Sequence, residues 1–528
     1  MSRLVEHLST ALTTSSCDLH VLNDDHETWS AHPWGEVYAR AENFAEAVHD
    51  RGPAEAVALI GEPNIEFLSA IFGSWLAGAS VALLPGPIRG ADHGQWAQAT
   101  LSRCHSIGVS SVFSHGDRLA DLQACDQLNR VHDVIPLAHP QRSTTLTPAG
   151  TDRPAILQGT AGSTGTPKTA QLSHDAVLAN LCGITERVSI ESGRDTGLSW
   201  LPLYHDMGLT FLLTTALSGL SAYQAPTSAF SAMPFRWLGW LADSRATLTA
   251  APNFAYNVLG KYASRLPDCD LSSIRFALNG GEPVDCAGMA RFATEFQRFG
   301  FDAGALSPAY GMAESTCAVS VTPPGNGLQF DEVRVKTDEG ELLRRHAVLG
   351  NAISGMEIRI EPVDFPVAEA EGRDAGEVQI RGDSMMAGYL GDAPRDAEKW
   401  FGTGDLGYFT DDGLVVCGRV KELIHIAGRN VFPSEIERIA GQVPGVREGS
   451  VVAVGSAEQS ARPGLVIAAE FRGGDEEETR ITLVRKVASE CGVVPARVLF
   501  VEPGTLPRTS SGKLRRLEVQ KTLVADRG

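Results

Sequence analysis

Several features that would settle the class of this chain at once are missing from it. No apolar run is long enough for a bilayer. The longest, "LTFLLTTALSGL", falls well short of the roughly 20 residues that a spanning helix needs and reads as a buried helix. The opening "MSRLVEHLSTALTTSS" carries no apolar segment of the signal-peptide kind. The nine cysteines include no Cys-x-x-Cys pair and are odd in number, which suits reduced, mostly buried thiols and neither a zinc site nor a disulfide framework. An excess of basic residues is lacking too: 45 Lys and Arg against 64 Asp and Glu leave a formal charge of −19. That balance argues against nucleic acid or an anionic membrane surface as the main partner. There is no internal repeat, no low-complexity tract and no Gly-x-x-x-x-Gly-Lys-[Ser/Thr] phosphate loop. The expectation is a soluble, cytoplasmic protein with no nucleic-acid partner and no membrane insertion.

What is present is a globular chain of 528 residues, enough for about three domain-sized units. "AVALIGEPNIEFLSAIFGSWLAGASVALL" reads as an apolar strand up to Gly61 and a helix capped by Asn64. A stop at Gly78 and a second strand from Ser80 follow. Near-continuous apolar strands around a helix predict a parallel sheet covered on both faces. The same alternation recurs in "RATLTAAPNFAYNVL" and "IRFALNGGEPV". Beyond residue 330, short alternating segments such as "EVQIRG" and "LVVCGRV" predict an antiparallel, barrel-like region, while residues 325–353 show no clear period. The last hundred residues read as strands "GSVVAVGS", "GLVIAAEFRG" and "RVLFVEPG". Helices follow Pro433 and run over Ile481–Val487, with a stop at Gly492. The expected architecture is therefore α/β: a large N-terminal domain of layered, mostly parallel sheets over 1–418, and a small mobile α+β domain over 419–528.

Five stretches carry chemistry. "LQGTAGSTGTPKTAQLSH" has almost nothing that could build a core. Its small residues would let backbone N–H groups approach phosphate oxygens, with Lys168 supplying charge, although a flexible linker has the same composition. "LPLYHDMGL" sets His205 and Asp206 beside Gly208, a backbone position open to close approach. "ALNGGEPV" ends an apolar strand in Asn-Gly-Gly, where a planar base could lie flat. "SPAYGMAEST" offers Tyr310 as a stacking plate and Glu314 as a hard oxygen ligand for Mg²⁺. "GTGDLGYFTDDGLVVCGRVKELIHIAGRNVFPSEIE" holds Asp405, able to accept from two ribose hydroxyls, with Arg419 and Lys421 near the expected domain boundary. Taken singly, the first reads equally well as a linker, and each of the others reads better as a turn, a cap or a satisfied histidine.

Together with the C-terminal "LPRTSSGKLRR", these stretches stand in the order and spacing of the adenylate-forming superfamily: acyl-CoA synthetases, peptide-synthetase adenylation domains and luciferases. The resemblance runs from about residue 30 to 520. "PLYHDMGL", "APNFAYNVL", "NGGEPV" and "RVKELIHIAGRNVFPSEIE" look most like fatty-acyl-AMP ligases, which activate a fatty acid and pass it to an acyl carrier protein. The chain departs from that branch at Gly281, Thr169-Ala170 and Val431-Phe432. The resemblance implies ATP and Mg²⁺ as cofactors, with Ser163, Thr164, Gly165, Thr166 and Lys168 cradling pyrophosphate and Glu314 holding the metal. It implies Gly280, Gly281, Tyr310 and Gly311 around adenine, and Asp405 and Arg419 on the ribose. His205 would line the carboxylate entrance, and Asp206, Met207, Gly208, Asn253 and Phe254 the acyl site. Lys513 would reach the reacting oxygens from a small domain that turns about Lys421. The alternatives are an acyl-CoA ligase or a β-amino-acid-activating enzyme, kept open by Asp206, and a non-catalytic acyl or nucleotide sensor. Because carrier proteins are acidic like this chain, a docking surface would need a local basic patch, expected near Arg344, Arg345 or Arg515.

Overall fold

The structure, a computed structural model, describes the chain except for residues 1, 53, 88–90, 139–152, 161–167, 338–339, 366, 368–369, 427–428, 456–463, 509–513 and 525–528. Two large sheets form its body. A seven-stranded sheet runs in the order Gly388–Tyr389, Lys168–Leu172, Ile156–Thr160, Ser80–Leu83, Ala56–Ile60, Ser111–Ser114 and Val131–Asp133. A nine-stranded sheet has Thr196–Ser199, Leu248–Ala251, Phe276–Asn279 and Leu306–Gly311 as parallel neighbours at its centre.

The local signals act as the chain chemistry dictates. Asn64 accepts from the Phe67 N–H at 2.7 Å and starts the helix Ile65–Leu76, whose residues are nearly all buried. A helix apolar on every side must sit between layers. This one does: its cluster joins Leu59 and Val81 of one sheet to Leu19 and Ala222 of the other. The flanking strands pair in parallel, Ala56↔Ser80 to Leu59↔Leu83. The run "LTFLLTTALSGL" supplies most of the helix Asp206–Leu217, also buried. Among the described residues no helix is long and apolar enough to cross a membrane.

The expected barrel-like region is a four-stranded antiparallel sheet, Met356–Pro362, Gly376–Gly382, Phe401–Thr410 and Gly413–Arg419. The stretch with no apparent period is a correction. Phe330–Thr337 and Gly340–Ala347 pair antiparallel throughout. Their pattern is hidden because the strands are short of apolar residues and held by charge: Arg373 grips Asp331 with two 2.9 Å bonds, and the Tyr408 hydroxyl donates to the same carboxylate. At the C-terminal end, Val446–Gly455, Leu465–Phe471 and Pro495–Val501 make a three-stranded sheet packed by the helices Pro433–Ala440 and Glu476–Cys491.

Candidate active site

Between the two large sheets and the C-terminal elements lies a cavity of about 2910 Å³. An ordinary ligand pocket occupies only about 300–1,000 Å³. The strands deliver their carboxyl ends to it, where open α/β sheets bind ligands.

On the cavity wall, the Asp405 carboxylate is buried and held by two neighbours. Arg419 Nε donates to Oδ1 at 2.8 Å, and the Tyr310 hydroxyl donates to Oδ2 at 2.6 Å. The backbone N–H of Asp405 donates to Thr403 Oγ1, which itself donates to the Val378 carbonyl. A carboxylate has about four acceptor positions, so two remain for vicinal hydroxyls. Burial and the Asp405 charge push the Tyr310 phenol well above its usual range, keeping it a donor, and the same charge raises the Arg419 guanidinium. Tyr310 ends the strand Leu306–Gly311, and one 3₁₀ turn, Ala313–Ser315, follows it in place of an α-helix start.

That turn presents Glu314. The Tyr389 hydroxyl donates to Glu314 Oε1 at 2.7 Å, while the Met386 N–H donates to the Glu314 carbonyl at 2.8 Å. Tyr389 in turn lies under Lys168, whose Nζ is 4.5 Å from the ring centroid and 3.0 Å from Asp392 Oδ2. A single carboxylate with one oxygen engaged suits Mg²⁺, which keeps several waters and binds through one or two carboxylates plus phosphates. Among the described residues no group of three or more His, Cys, Asp or Glu is placed to cage a metal. The donor set thus fits a cation that arrives with a nucleotide.

Gly281 has φ +84°, a conformation favouring glycine, and no atom within 4 Å of where a Cβ would stand. Gly280 lies beside it against Ala309 at ordinary contact distance. This loop is braced by Asn253, which accepts from Asn279 Nδ2 at 2.7 Å and from the Asp285 N–H at 3.0 Å, and donates to the Pro283 carbonyl. Asn253 lines the cavity, but its polar atoms are all engaged in shaping the glycine loop.

His205 caps the helix Asp206–Leu217, and its Nδ1 lies 2.5 Å from Asp206 Oδ1. The same oxygen accepts from the Met207 N–H at 2.7 Å, so the Asp206 carboxylate is engaged at its own helix start. Gly208 lines the cavity and also packs closely. A Cβ there would stand 2.3 Å from the Pro202 carbonyl oxygen, so its bareness serves packing against its own chain as well. Phe254 meets an aromatic block, Trp200 stacked on Phe230 at 3.5 Å, with its own ring edge-on to both at 6.1 and 6.0 Å. Gly311 packs against Cys317, and Lys421 lies in the 3₁₀ turn Val420–Glu422 on the cavity wall. Ser163, Thr164, Gly165, Thr166 and Lys513 lie outside the described residues.

The model of the AMP-binding enzymes matches residues 11–390. The chain belongs to that family. It is an adenylate-forming ligase. It is 36% identical over 512 residues to the provisionally named ligase Rv1013 of Mycobacterium tuberculosis, covering 92% of this chain and 93% of that one. It is 29% identical to the long-chain-fatty-acid–AMP ligase FadD32 of Mycolicibacterium smegmatis, over 92% and 87%. A solved structure from a study of fatty acyl-adenylate ligases from E. coli and L. pneumophila superposes with a TM-score of 0.88 at 31% identity, covering 99% and 98%. Within this ligase, sequence reasoning passed over Tyr389, Thr403 and Trp200. Tyr389 sits in an edge strand of two residues, Gly388–Tyr389, whose only mark in the sequence is a Gly-Tyr pair. Trp200 directly precedes the "LPLYHDMGL" motif and could have been found there.

Proposed function

We propose that this ligase activates a fatty acid with ATP and transfers the acyl group to the phosphopantetheine thiol of an acyl carrier protein. The observation that carries the reading is the set of groups gathered on one cavity. The Asp405–Tyr310–Arg419 cluster, the bare Gly280–Gly281 loop, the Glu314–Tyr389–Lys168 chain and the aromatic pair Trp200 and Phe254 all line it. Those groups suit a ribose, a base, a polyphosphate and an acyl chain.

In the first step a carboxylate oxygen attacks the α-phosphorus of ATP. The bond to the bridging oxygen breaks, and its electron pair leaves with pyrophosphate. The protein has little covalent work here; it positions groups and neutralises charge. Asp405 accepts from the ribose hydroxyls, Tyr310 and Gly281 border the base, and His205 stands at the carboxylate entrance. Ser163, Thr164, Thr166 and Lys168 receive the departing pyrophosphate. Glu314 would hold Mg²⁺, which supplies charge neutralisation on the phosphates. Lys513 brings a further positive charge from the C-terminal part, taken as residues 419–528 turning about Lys421. In the second step the thiol sulfur, having lost its proton, attacks the acyl carbonyl, and AMP leaves.

The contacts of His205 and Met207 to Asp206 are both made at Oδ1, so the choice between a plain acid and a β-amino acid, whose amine would need that carboxylate, falls to the substrate panel. Of the expected docking cations, Arg345 and Arg515 are exposed. Arg344 is buried and donates to the Glu490 carbonyl, Arg345 pairs with Glu332, and Arg515 pairs with Glu518. The test is pyrophosphate release over fatty, aryl and β-amino acids, followed by transfer to CoA or to a holo carrier protein. Release with fatty acids, and transfer only to the carrier, is expected. Efficient acyl-CoA formation would overturn the carrier assignment and leave adenylation standing, and absence of release with any acid would overturn both.

A further inference from the structure

On the far side of the phosphate-loop stem stands a cation that the reading above does not use. Arg103 projects from the helix His93–Ser106 and lines the same cavity beside Leu84, Pro85 and Thr160. Its Nη2 donates to Thr169 Oγ1 at 3.2 Å, and a Cβ on Gly159 would lie 3.3 Å from that nitrogen. Gly159↔Thr169 and Thr160↔Lys168 are the last two rungs of the antiparallel ribbon before residues 161–167. Side chains alternate across a ribbon. Lys168 therefore leaves on one face, toward Tyr389 and Asp392, and Thr169 on the other, toward Arg103.

The two cations differ in how they are balanced. Lys168 has Asp392 at 3.0 Å. Among the described residues no carboxylate lies within ion-pair distance of Arg103, and its one side-chain bond is to a neutral hydroxyl. Burial lowers its guanidinium below the usual range, the mark of a charge withdrawn from water without an opposite charge beside it. A half-buried guanidinium in a cavity, with most of its fork of N–H groups unused, is a receptor for an oxyanion. The carboxyl ends of the parallel strands Ser80–Leu83 and Ile156–Thr160 meet at this spot, where an open sheet receives phosphate.

We propose that Arg103 is a second cationic ligand for pyrophosphate, gripping the departing anion across the ribbon from Lys168. The proposal rests on the adenylation reading for the identity of the anion and on geometry for the site. Phosphopantetheine would offer the same oxyanion chemistry from another source, and the test separates the two.

Inorganic pyrophosphate and, separately, pantetheine 4′-phosphate are titrated calorimetrically into the full chain, into Arg103→Gln and into Arg103→Lys. Loss of one charge-assisted contact should weaken pyrophosphate binding by about tenfold in Arg103→Gln. Arg103→Lys, which keeps the charge and loses the fork, should fall between, and pantetheine 4′-phosphate binding should not change. Equal pyrophosphate affinity in all three proteins would overturn the proposal. So would a wild-type chain that does not bind pyrophosphate, or a loss confined to pantetheine 4′-phosphate. Thermal unfolding of each variant accompanies the titrations; an Arg103→Lys protein of wild-type stability with weakened pyrophosphate binding supports the site even where Arg103→Gln folds poorly. A wild-type chain that binds pyrophosphate yet releases none from ATP would sink the adenylation reading and leave the anion site standing.

Discussion

Tyr389 spans two charged groups at once: its hydroxyl holds Glu314 and its ring face lies under the Lys168 ammonium. Replacing Glu314 by Gln keeps the shape and the hydrogen bond but removes the charge. The expected outcome is a raised Mg²⁺ requirement and a lower rate of pyrophosphate release, with an unchanged melting temperature. A Mg²⁺ titration on both proteins checks it, and an unaltered dependence would reduce Glu314 to a partner of Tyr389. Gly208 belongs to the same scale but to stability. A methyl group set 2.3 Å from the Pro202 carbonyl must displace backbone. Gly208→Ala should cost about 1–3 kcal/mol, read from urea unfolding. The sequence showed both residues and could separate neither role, because a bare backbone serves ligand contact and close packing alike.

Among the elements, the start of the central strands is tied by one buried carboxylate. Asp195, just before the strand Thr196–Ser199, accepts two 2.7 Å bonds from Arg275 and one of 2.9 Å from the Thr247 hydroxyl. Burial alone would raise it, but the bonds from Arg275, the Glu191 N–H and Thr247, with the Arg275 charge, bring it down to about 2. A carboxyl depressed on folding lends stability that is whole above its ordinary value of 3.8 and is lost as the pH falls toward 2. Asp195→Asn leaves Arg275 without its charge partner and should cost about 3 kcal/mol at neutral pH. The gap between wild type and variant in urea midpoint should narrow as the pH drops from about 5 to about 3; a constant gap would assign the loss to shape alone. Strands and helices here were legible because apolar periodicity and caps act over a few residues. The 330–347 hairpin was not, since its alignment depends on Arg373 and Tyr408, contributed from outside it.

At the scale of the molecule, the strand Val446–Gly455 of the C-terminal sheet meets the helix Asn253–Tyr262 through the exposed ion pair Lys261–Glu448 at 3.0 Å. Exposed pairs are worth little, about 0–1 kcal/mol, so this contact is easily given up. Beside Lys421, proposed above as the hinge, Arg516 binds both oxygens of Glu437 at 2.7 Å and Glu422 at 2.7 Å, fastening the residues after 509–513 to the turn that holds Lys421. A lysine brought to the reacting oxygens by such a body is needed only while charge builds on phosphorus. Lys513→Ala should lower adenylate formation by about two to three orders of magnitude, yet leave transfer from supplied acyl-adenylate to a holo carrier near the wild-type rate. Equal losses in the two half-reactions, measured separately, would remove Lys513 from that role.

By itself the sequence determined the family, the layered α/β architecture and the roll of candidate site residues. Ordered motifs, caps and apolar runs are written in neighbouring residues and need no distant partner. Only the tertiary structure decided which of those residues meet. Asp405 and Tyr310 are 95 positions apart and Tyr389 and Glu314 are 75 apart, while Arg103 joins the phosphate-loop stem from a helix no motif had marked. Such encounters are set by how sheets stack and helices are buried between them, a property of the whole packed chain that no short stretch of it contains.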